Sequence, residues 1–160
     1  MDQHIEIKYT LCFIQKEKEI LMLNRMKSPN MGLWNGVGGK IEMNEDKFSS
    51  IKREILEETG LKIDAVDFKG DVFWTSKNSI GGMHVFLANF PKEINSISFP
   101  QDTDEGILSF KHIDWIFSKE NKGVISNIPI FLSEMLNSIN ILNFHFFYDE
   151  NDLILKYDKF

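Results

Sequence analysis

Three glutamates, Glu54, Glu57 and Glu58, stand three and four positions apart in a segment with helical spacing of its apolar residues. Such positions are neighbours on one side of an α-helix, so the three carboxylates should crowd together, flanked by Arg53 and Glu45. Like-charged neighbours on a helix repel each other at a cost of roughly 0.2–0.5 kcal/mol per pair. Hard divalent cations such as Mg²⁺ bind oxygen ligands and would remove this repulsion. The spacing therefore predicts a divalent-metal site.

A glycine-rich segment precedes these glutamates. Gly36-Val37-Gly38-Gly39 has three glycines in four positions, which indicates a tight turn or a close approach of the backbone to another group. The carbonyl of Gly39 is a candidate for a further metal ligand, and Arg53 is expected to hold a carboxylate in its ligating rotamer. Metal ions in such a site could neutralise a diphosphate, orient it and acidify a water molecule. The predicted chemistry is metal-assisted cleavage of a phosphoanhydride bond.

The composition restricts the class of partner. The chain has 160 residues, a formal net charge of −6 and a pI of about 5.2. Binding of a nucleic-acid polymer usually needs a basic face, so a small anionic substrate is expected instead, provided that metal ions neutralise it. The length suits a single domain over residues 1–160. Whether the chain is a monomer or a homodimer stays open.

Three further features indicate a soluble, cytoplasmic protein. Cys12 is the only cysteine, so no intrachain disulfide can form, which is typical of a reducing compartment. The N-terminal residues lack the basic and apolar regions of a signal peptide. No apolar run approaches the roughly 20 residues that span a bilayer, so no membrane association is predicted.

The carboxylates need a helix to position them, and the surrounding residues predict one. Asn44 is the expected N-cap, and Gly60 is the expected C-terminal stop. Phe48, Ile51 and Ile55 recur at helical spacing and should form the buried stripe. The helix would then turn one face to the core and an adjacent face, with the carboxylates, to a ligand.

The remaining elements are predicted from apolar runs and turn residues. A loop is expected over residues 24–35, and a second helix over residues 128–136, with Asn127 as its cap and Pro129 in its first turn. Strands are expected over residues 5–14, 19–23, 68–75, 83–90, 106–113, 143–148 and 153–157, with hairpins formed by the first two and the last two. The predicted fold class is α+β.

The whole pattern from Gly39 to Leu61, Gly-x5-Glu-x7-Arg-Glu-apolar-x-Glu-Glu-x-Gly-apolar, resembles the Nudix box at every defining position. The segment from Trp34 to Lys40 also looks like the one that precedes the box in MutT-type Nudix hydrolases. The resemblance implies an αβα sandwich around a mixed sheet. It also implies hydrolysis of a nucleoside diphosphate linked to another group. MutT-like members convert a nucleoside triphosphate to monophosphate and pyrophosphate with Mg²⁺ or Mn²⁺.

The resemblance assigns roles to individual acidic residues. Gly39, Glu54, Glu57 and Glu58 match the metal-binding positions of the family. Glu105 matches a distal carboxylate that ligates metal or assists the attacking water, although a single acidic residue in a loop is also commonly just solvated.

A second group of residues is expected to bind the nucleotide. Asn35 matches an asparagine that reads the purine edge, since an amide offers both a donor and an acceptor; the alternative is a turn-forming Asn before Gly. Trp34, Phe73 and Trp74 are expected to line the base pocket, where stacking is worth about 1–3 kcal/mol per base; the alternative is core packing. Arg25 is a candidate phosphate contact, because its planar fork matches phosphate oxygens.

The chain departs from the mammalian MutT homologue before the second helix. That homologue uses two aspartates there to read the oxidised purine, whereas residues 124–129 here contain no carboxylate. Asn127 and Ser126 are the candidates to replace them, which leaves specificity for 8-oxo-guanine open.

Three functions are compatible with these residues. The leading expectation is a Mg²⁺-dependent Nudix pyrophosphohydrolase of a nucleoside triphosphate, with an oxidised purine dNTP such as 8-oxo-dGTP as one candidate. Another Nudix substrate, such as a nucleotide sugar, ADP-ribose or a dinucleotide, is the alternative within the enzyme class. The third is a Nudix module that senses a nucleotide without turnover, and the intact carboxylate set argues against it.

Overall fold

A mixed β-sheet with helices on both faces forms the framework of the molecule. The computed structural model describes residues 4–94 and 96–160. The strands are β1 (Tyr9–Lys16), β2 (Glu19–Arg25), β3 (Trp34–Asn35), β4 (Val37–Lys40), β5 (Val66–Thr75), β6 (Ile80–Asn89), β7 (Gln101–Thr103), β8 (Gly106–His112), β9 (Phe144–Tyr148) and β10 (Ile154–Lys159). The helices are α1 (Lys47–Thr59), α2 (Ile113–Ile116) and α3 (Ile128–Leu136).

The strand order is β10-β9-β5-β6-β1-β2-β8-β7, with β3 paired to β2 and β4 paired to β1. Strand β1 runs parallel to β6, and β5 runs parallel to β9, while the hairpins are antiparallel. The predicted hairpins β1–β2 and β9–β10 are confirmed. The closing hairpin lies at one end of the sheet, and strands β7 and β8 lie at the other.

The core consists of two apolar clusters, one on each face of the sheet. Along β1, Leu11 and Phe13 belong to the cluster under α3, whereas Cys12 and Ile14 belong to the cluster under α1. This alternation is the two-residue period of a strand that is covered on both faces. The predicted α+β sandwich with a mixed sheet is therefore confirmed. Within the part of the chain that the structure describes, no helix is long and apolar enough to cross a membrane.

Helix α1 begins later than the sequence indicates. Asp46 is its N-cap, because its Oδ1 accepts a hydrogen bond from the amide of Ser49 at 2.8 Å. The prediction of Asn44 as the cap is wrong, since Asn44 lies in the preceding loop with a φ of +64°. An aspartate at the cap satisfies a free amide of the first turn equally well. Gly60 ends the helix as predicted, with a φ of +77° and its N–H bonded to the carbonyl of Leu56.

The buried stripe of α1 is shorter than predicted. Ile51 and Ile55 are fully buried against the sheet, as expected. Phe48 is 41% exposed, and its ring meets Phe86 edge to face at 5.4 Å between centroids. One side of this ring therefore remains in solvent, because Phe48 sits in the first turn of the helix.

The glycine-rich segment forms strand β4, which pairs with β1, and not a tight turn. A Cβ atom on Gly38 would overlap the carbonyl oxygen of Thr10, and one on Gly36 would lie 2.7 Å from the carbonyl oxygen of Cys12. Of the two expectations for these glycines, the close approach to another group is the correct one.

The sequence does not predict three short elements, β3, β7 and α2, which are two to four residues long. The loop predicted over residues 24–35 is shorter than expected, because Asn24 and Arg25 end strand β2 and Trp34 and Asn35 form strand β3. Elements this short carry no periodicity of their own. The strands β3 and β7 form because β2 and β8 offer free backbone groups, whereas α2 begins where the side chain of His112 accepts a hydrogen bond from the Asp114 amide.

Candidate active site

The side chain of Arg53 lies among the carboxylates of the predicted site. Its Nε and Nη2 atoms donate to the two carboxylate oxygens of Glu45 at 2.7 and 3.0 Å, a bidentate pair. Nη2 also donates to the carbonyl of Lys40 at 3.1 Å, which ties α1 to the end of β4. The hydrogen bonds from Arg53 lower the pKa of Glu45 to about 2 and raise the pKa of Arg53 itself.

The other terminal nitrogen of Arg53 orients the helix carboxylates. Nη1 donates to Glu54 Oε1 at 3.0 Å and to Glu57 Oε2 at 3.2 Å. It also lies 3.6 Å from Glu42 Oε1. These contacts are the ones that the predicted positioning role of Arg53 requires, and they leave Glu54 shielded and Glu57 more than half exposed.

Glu58 is the most perturbed acid of the site. Its Oε2 accepts a hydrogen bond from the amide of Gly38 at 3.2 Å. Burial, followed by the negative charges of Glu54 and Glu105, raises the pKa of Glu58 to about 8 against the opposing effects of the Gly38 amide and Arg25. Burial also raises the pKa of Glu54. Burial and mutual repulsion thus disfavour the ionised forms of both carboxylates.

Gly39 lies directly against one of these carboxylates. A Cβ atom at this position would come within 2.5 Å of Glu54 Oε1 and within 2.8 Å of Glu54 Oε2. Ordinary contacts are longer, so only glycine lets the Glu54 carboxylate rest on the β4 backbone. The predicted Gly39–Glu54 combination is therefore brought together by the fold.

A groove of about 570 Å³ lies beside this helix face. Its carboxylate lining comes from two separate parts of the chain, α1 and the turn between β7 and β8. The six acids are Glu54, Glu57, Glu58, Asp102, Asp104 and Glu105.

The β7–β8 turn that carries Glu105 is fixed by its own hydrogen bonds. The Thr103 hydroxyl oxygen accepts from the amides of Glu105 and Gly106, each at 3.2 Å, and the hydroxyl donates to the carbonyl of Gly106 at 2.9 Å. The carbonyl of Glu105 accepts from the amide of Met26 at 3.1 Å. The fold therefore places Glu105 on the same groove as Glu58, although the two are far apart in sequence.

The donors of this groove fit a hard divalent cation. Oxygen ligands dominate the site, and a bound cation would offset the burial and the mutual repulsion that raise the pKa values of Glu54 and Glu58. Among residues 4–94 and 96–160, no three acidic, histidine or cysteine side chains already converge on one point. Glu57 in particular is turned toward Arg53.

Comparison with known proteins decides the family. A model of the NUDIX domain matches residues 8–126, about three quarters of the chain. The chain belongs to the NUDIX family. The oxidized purine nucleoside triphosphate hydrolase of Mus musculus is 31% identical to this NUDIX chain over 83 residues, which cover 51% of the chain and 53% of the relative. The chain thus spans about half the length of that relative.

Two further comparisons extend the range of relatives. The NAD-capped RNA hydrolase NudC of Haemophilus influenzae is 33% identical over 79 residues, which cover 48% of the NUDIX chain but only 29% of the relative. The crystal structure of a MutT protein from Bacillus halodurans superposes with a TM-score of 0.77 at 24% identity, and covers 94% of this chain and 95% of that one. At this identity the likeness establishes the NUDIX fold.

The structure places Trp34 and Phe73 of this NUDIX protein on different faces of the sheet. Trp34 packs against the α3-side cluster and meets Trp115 edge to face at 6.4 Å between centroids. Phe73 follows Val72, a member of the same cluster, so its side chain points to the opposite face, where it stacks on Phe160 at 6.4 Å. The structure does not bring these two predicted pocket residues together.

The side-chain amide of Asn35 makes one hydrogen bond within the chain. Its Oδ1 accepts a hydrogen bond from the amide of Gly36 at 2.8 Å, as expected for an asparagine that shapes the backbone before glycine. Among the residues that the structure describes, Nδ2 makes no hydrogen bond, so it offers a ligand a donor, while the second lone pair of Oδ1 offers an acceptor.

Arg25 lies at the edge of the acidic groove. It is the last residue of β2, where it pairs with Gly106 next to Glu105. Its Nε donates to the carbonyl of Pro29 at 2.7 Å, and its charge lowers the pKa of Glu58. The position suits the predicted contact with a phosphate.

Asn127 stands at the N-cap position of α3 but does not cap it. Its side chain makes no hydrogen bond to the helix, so that part of the prediction is wrong. The residue is only 6% exposed, and its Oδ1 has no partner among the residues that the structure describes. It lies beside Tyr148, whose pKa is raised to about 12 by burial, with the Asn127 side chain acting in the opposite direction.

A second groove, of about 430 Å³, lies near the start of β1 on the α3 side. Tyr9 and Trp74 line it with their rings 6.1 Å apart, and a side chain at Gly81 would overlap the Trp74 indole. Tyr9 pairs with Lys40, whose carbonyl holds Arg53, so the β1–β4 ladder connects this groove to the acidic site. The sequence alone does not single out Tyr9. The feature that could have identified it is an aromatic residue exposed at the end of a strand.

Proposed function

We propose that this NUDIX protein is a pyrophosphohydrolase that uses Mg²⁺ or Mn²⁺ to cleave a nucleoside triphosphate to monophosphate and pyrophosphate. The observation that carries the proposal is the pair Glu54 and Glu58, held by Arg53 and the Gly38 amide and faced by Glu105 across one groove. Burial raises the pKa values of both carboxylates, and acids perturbed in this way are common at functional sites.

The charge of the groove supports a metal requirement. Six acidic side chains line it, and a triphosphate that entered alone would be repelled by those that are ionised. Bound Mg²⁺ or Mn²⁺, held by Glu54, Glu58, Glu57 and the Gly39 carbonyl, would neutralise the phosphate oxygens and acidify the attacking water. Arg25 is placed to add a guanidinium contact to the phosphates.

The chain's own residues account for the remaining steps. The oxygen of a water molecule forms a bond to phosphorus while the bridging P–O bond breaks and pyrophosphate departs. The proton of that water passes to a carboxylate, and Glu105 is the candidate acceptor because its turn fixes it opposite the helix. Arg53 holds Glu54 and Glu57 so that their oxygens do not rotate away.

Recognition of the base is proposed for two places. The free Nδ2 of Asn35 can donate to an acceptor on a purine edge. The rings of Tyr9 and Trp74 can stack on a base in the second groove. The similarity to the oxidized purine nucleoside triphosphate hydrolase of Mus musculus supports an oxidised purine nucleotide such as 8-oxo-dGTP as the substrate to test first.

A second candidate substrate is a nucleotide in which the diphosphate links two larger groups. The similarity to NudC of Haemophilus influenzae, a hydrolase of NAD-capped RNA, favours it. Nucleotide sugars, ADP-ribose and dinucleotides belong to the same chemical class.

The test is a panel of nucleotides incubated with Mg²⁺, with Mn²⁺ and with EDTA. We expect monophosphate and pyrophosphate from at least one nucleoside triphosphate, dependence on the metal, and loss of turnover in Glu58→Gln. Cleavage of NAD to AMP and nicotinamide mononucleotide, or of ADP-ribose to AMP and ribose 5-phosphate, without turnover of triphosphates, would support the second candidate. Tight binding without turnover of any member would indicate a nucleotide sensor.

A further inference from the structure

Strand β10 forms an open edge of the sheet. Among the residues that the structure describes, it is paired with β9 alone and ends the strand order on that side. A β-bulge between Ile154 and Lys156 leaves residues 156–160 as the regular part of this edge. An open edge offers a row of unpaired N–H and C=O groups to another strand.

The residues whose backbone groups face outward can be identified. Phe160 and Asn143 exchange both amide–carbonyl hydrogen bonds, each at 2.9 Å. In an antiparallel ladder such pairs alternate with pairs that are not hydrogen-bonded, so every second residue before Phe160 also bonds to β9. The N–H and C=O groups of Tyr157 and Lys159 therefore point to the open side.

Apolar side chains remain exposed along the same hairpin. Leu153 is 64% exposed, Leu155 68%, Tyr157 47% and Phe160 64%. A free lysine charge on an edge strand disfavours pairing with another strand. The charge of Lys159 is instead paired with Glu134 of α3, at 3.2 Å.

The charges on β10 select one way of pairing with a second copy. In an antiparallel pair, residues that face each other have their side chains on the same face of the sheet. When two copies of β10 pair about a two-fold axis, this condition requires one residue to lie on the axis, opposite its own copy. An axis at Tyr157 sets Lys156 of each copy opposite Asp158 of the other, so two pairs of opposite charge form. An axis at Lys156, Asp158 or Lys159 would set that charge against its own copy.

The backbone groups agree with the axis at Tyr157. Tyr157 then exchanges hydrogen bonds with its own copy through the groups that point outward. Lys156 and Asp158 form the pairs that are not hydrogen-bonded, in which opposing side chains lie closer together.

We propose that β10 is a homodimer interface, in which two copies pair antiparallel about Tyr157 and join their sheets. The β7–β8 turn with Glu105 lies at the opposite end of the strand order, so both acidic grooves stay open. The proposal does not depend on the proposed function.

The test uses charge reversal at the two facing positions, followed by sedimentation velocity over a range of protein concentrations. Lys156→Asp and Asp158→Lys each replace two attractive pairs by two repulsive ones, so we expect the dimer dissociation constant to rise at least about tenfold in each. The double variant Lys156→Asp/Asp158→Lys restores opposite charges and should dimerise like the wild type. An equimolar mixture of the two single variants should form a heterodimer, because their charges are complementary in this register.

Matched controls separate this register from an effect of net charge. Lys18→Asp and Asp64→Lys make the same charge changes at exposed positions away from β10 and should leave dimerisation unchanged. No wild-type dimer at about 1 mM protein overturns the proposal. A dimer whose dissociation constant is unchanged by either single charge reversal would also overturn it. The same holds if the double variant stays monomeric although its thermal unfolding matches that of the wild type.

Discussion

Arg53 and Glu45 form a two-pronged ion pair, with N–O distances of 2.7 and 3.0 Å, at the edge of the carboxylate face of α1. Both side chains are largely shielded, at 22% and 13% exposure. Because Glu45 fixes two nitrogens of the guanidinium, the third nitrogen, Nη1, is directed toward Glu54 and Glu57. Glu45 therefore orients the metal-binding candidates through Arg53, without facing the acidic groove itself.

Stability at low pH should depend on Glu45. Its pKa is about 2 in the folded protein against an ordinary 4.5, so its contribution is complete above pH 4.5 and is lost as the pH falls toward 2. We expect Glu45→Gln to lower the free energy of unfolding by about 2 kcal/mol at pH 7, and the difference from wild type to shrink below pH 4.5. Urea unfolding between pH 2.5 and 7 measures this. A difference that stays constant with pH would contradict the assignment.

Glu58 should give the opposite pH dependence in the metal-free protein. Its pKa is raised from 4.5 to about 8, so the folded state loses stability as the pH rises between these values. Glu58→Gln should flatten the stability profile in that window.

Metal binding should then release the proton from Glu58. The apparent affinity for Mg²⁺ should increase by up to about tenfold per pH unit as the pH rises toward 8. Calorimetry in buffers of different ionisation enthalpy detects the released proton, and Glu58→Gln should abolish the release. Proton release that persists unchanged in the variant would assign it to another group.

Glu57 and Glu42 provide a matched pair of variants. Both contact Nη1 of Arg53 and both are more than half exposed, but only Glu57 lines the acidic groove. We expect Glu57→Gln to lower kcat by roughly 100-fold or more, because a metal-binding charge is lost, and Glu42→Gln to stay within about threefold of wild type. Equal effects of the two substitutions would mean that both act only by positioning Arg53.

The contact between Gly39 and Glu54 can be tested through stability. Gly39→Ala should cost about 1–3 kcal/mol, because the new Cβ atom overlaps the Glu54 carboxylate. In the double variant Gly39→Ala/Glu54→Ala the overlap is gone, so the cost of the Gly39 substitution should largely disappear. Additive losses in this double-mutant cycle, measured by chemical unfolding, would place the strain elsewhere on β4.

Two substitutions separate the possible roles of Asn35. Asn35→Asp keeps the acceptor for the Gly36 amide but removes the Nδ2 donor, whereas Asn35→Ala removes both. If Nδ2 reads the base, both variants should lose preference among purine triphosphates by about tenfold in kcat/KM, with Asn35→Asp near wild-type stability. A loss of preference in Asn35→Ala alone would leave only the role in shaping the backbone.

The helix part of the candidate site could largely be predicted from local spacing. The contacts among Arg53, Glu54 and Glu57 lie within two turns of one helix, where the helical period sets which side chains meet. The glycine at the end of α1 follows from the same local geometry. The prediction of Asn44 as the N-cap of α1 is wrong because Asp46, in the same loop, is also a good N-cap residue. The spacing of residues alone does not decide which of the two caps the helix.

Contacts between distant parts of the chain depended on the tertiary structure. Sequence similarity could suggest Glu105, but only the pairing of β7, β8 and β2 puts it on the groove of Glu58. Strand alternation separates Phe73 from Trp34, and sheet register brings Tyr9 beside Trp74. None of these relationships has a signature in the local sequence.

The amino-acid sequence by itself determined the carboxylate helix, its arginine, its neighbouring glycine and membership of the NUDIX family. The physical reason is that these features reside in about one helix and one short strand, where neighbours in space are close in sequence. The tertiary structure alone decided which acid faces the helix across the groove, which aromatic rings share a face, and that β10 is left as an open edge. Those outcomes depend on strand order and register, which are set by packing over the whole chain.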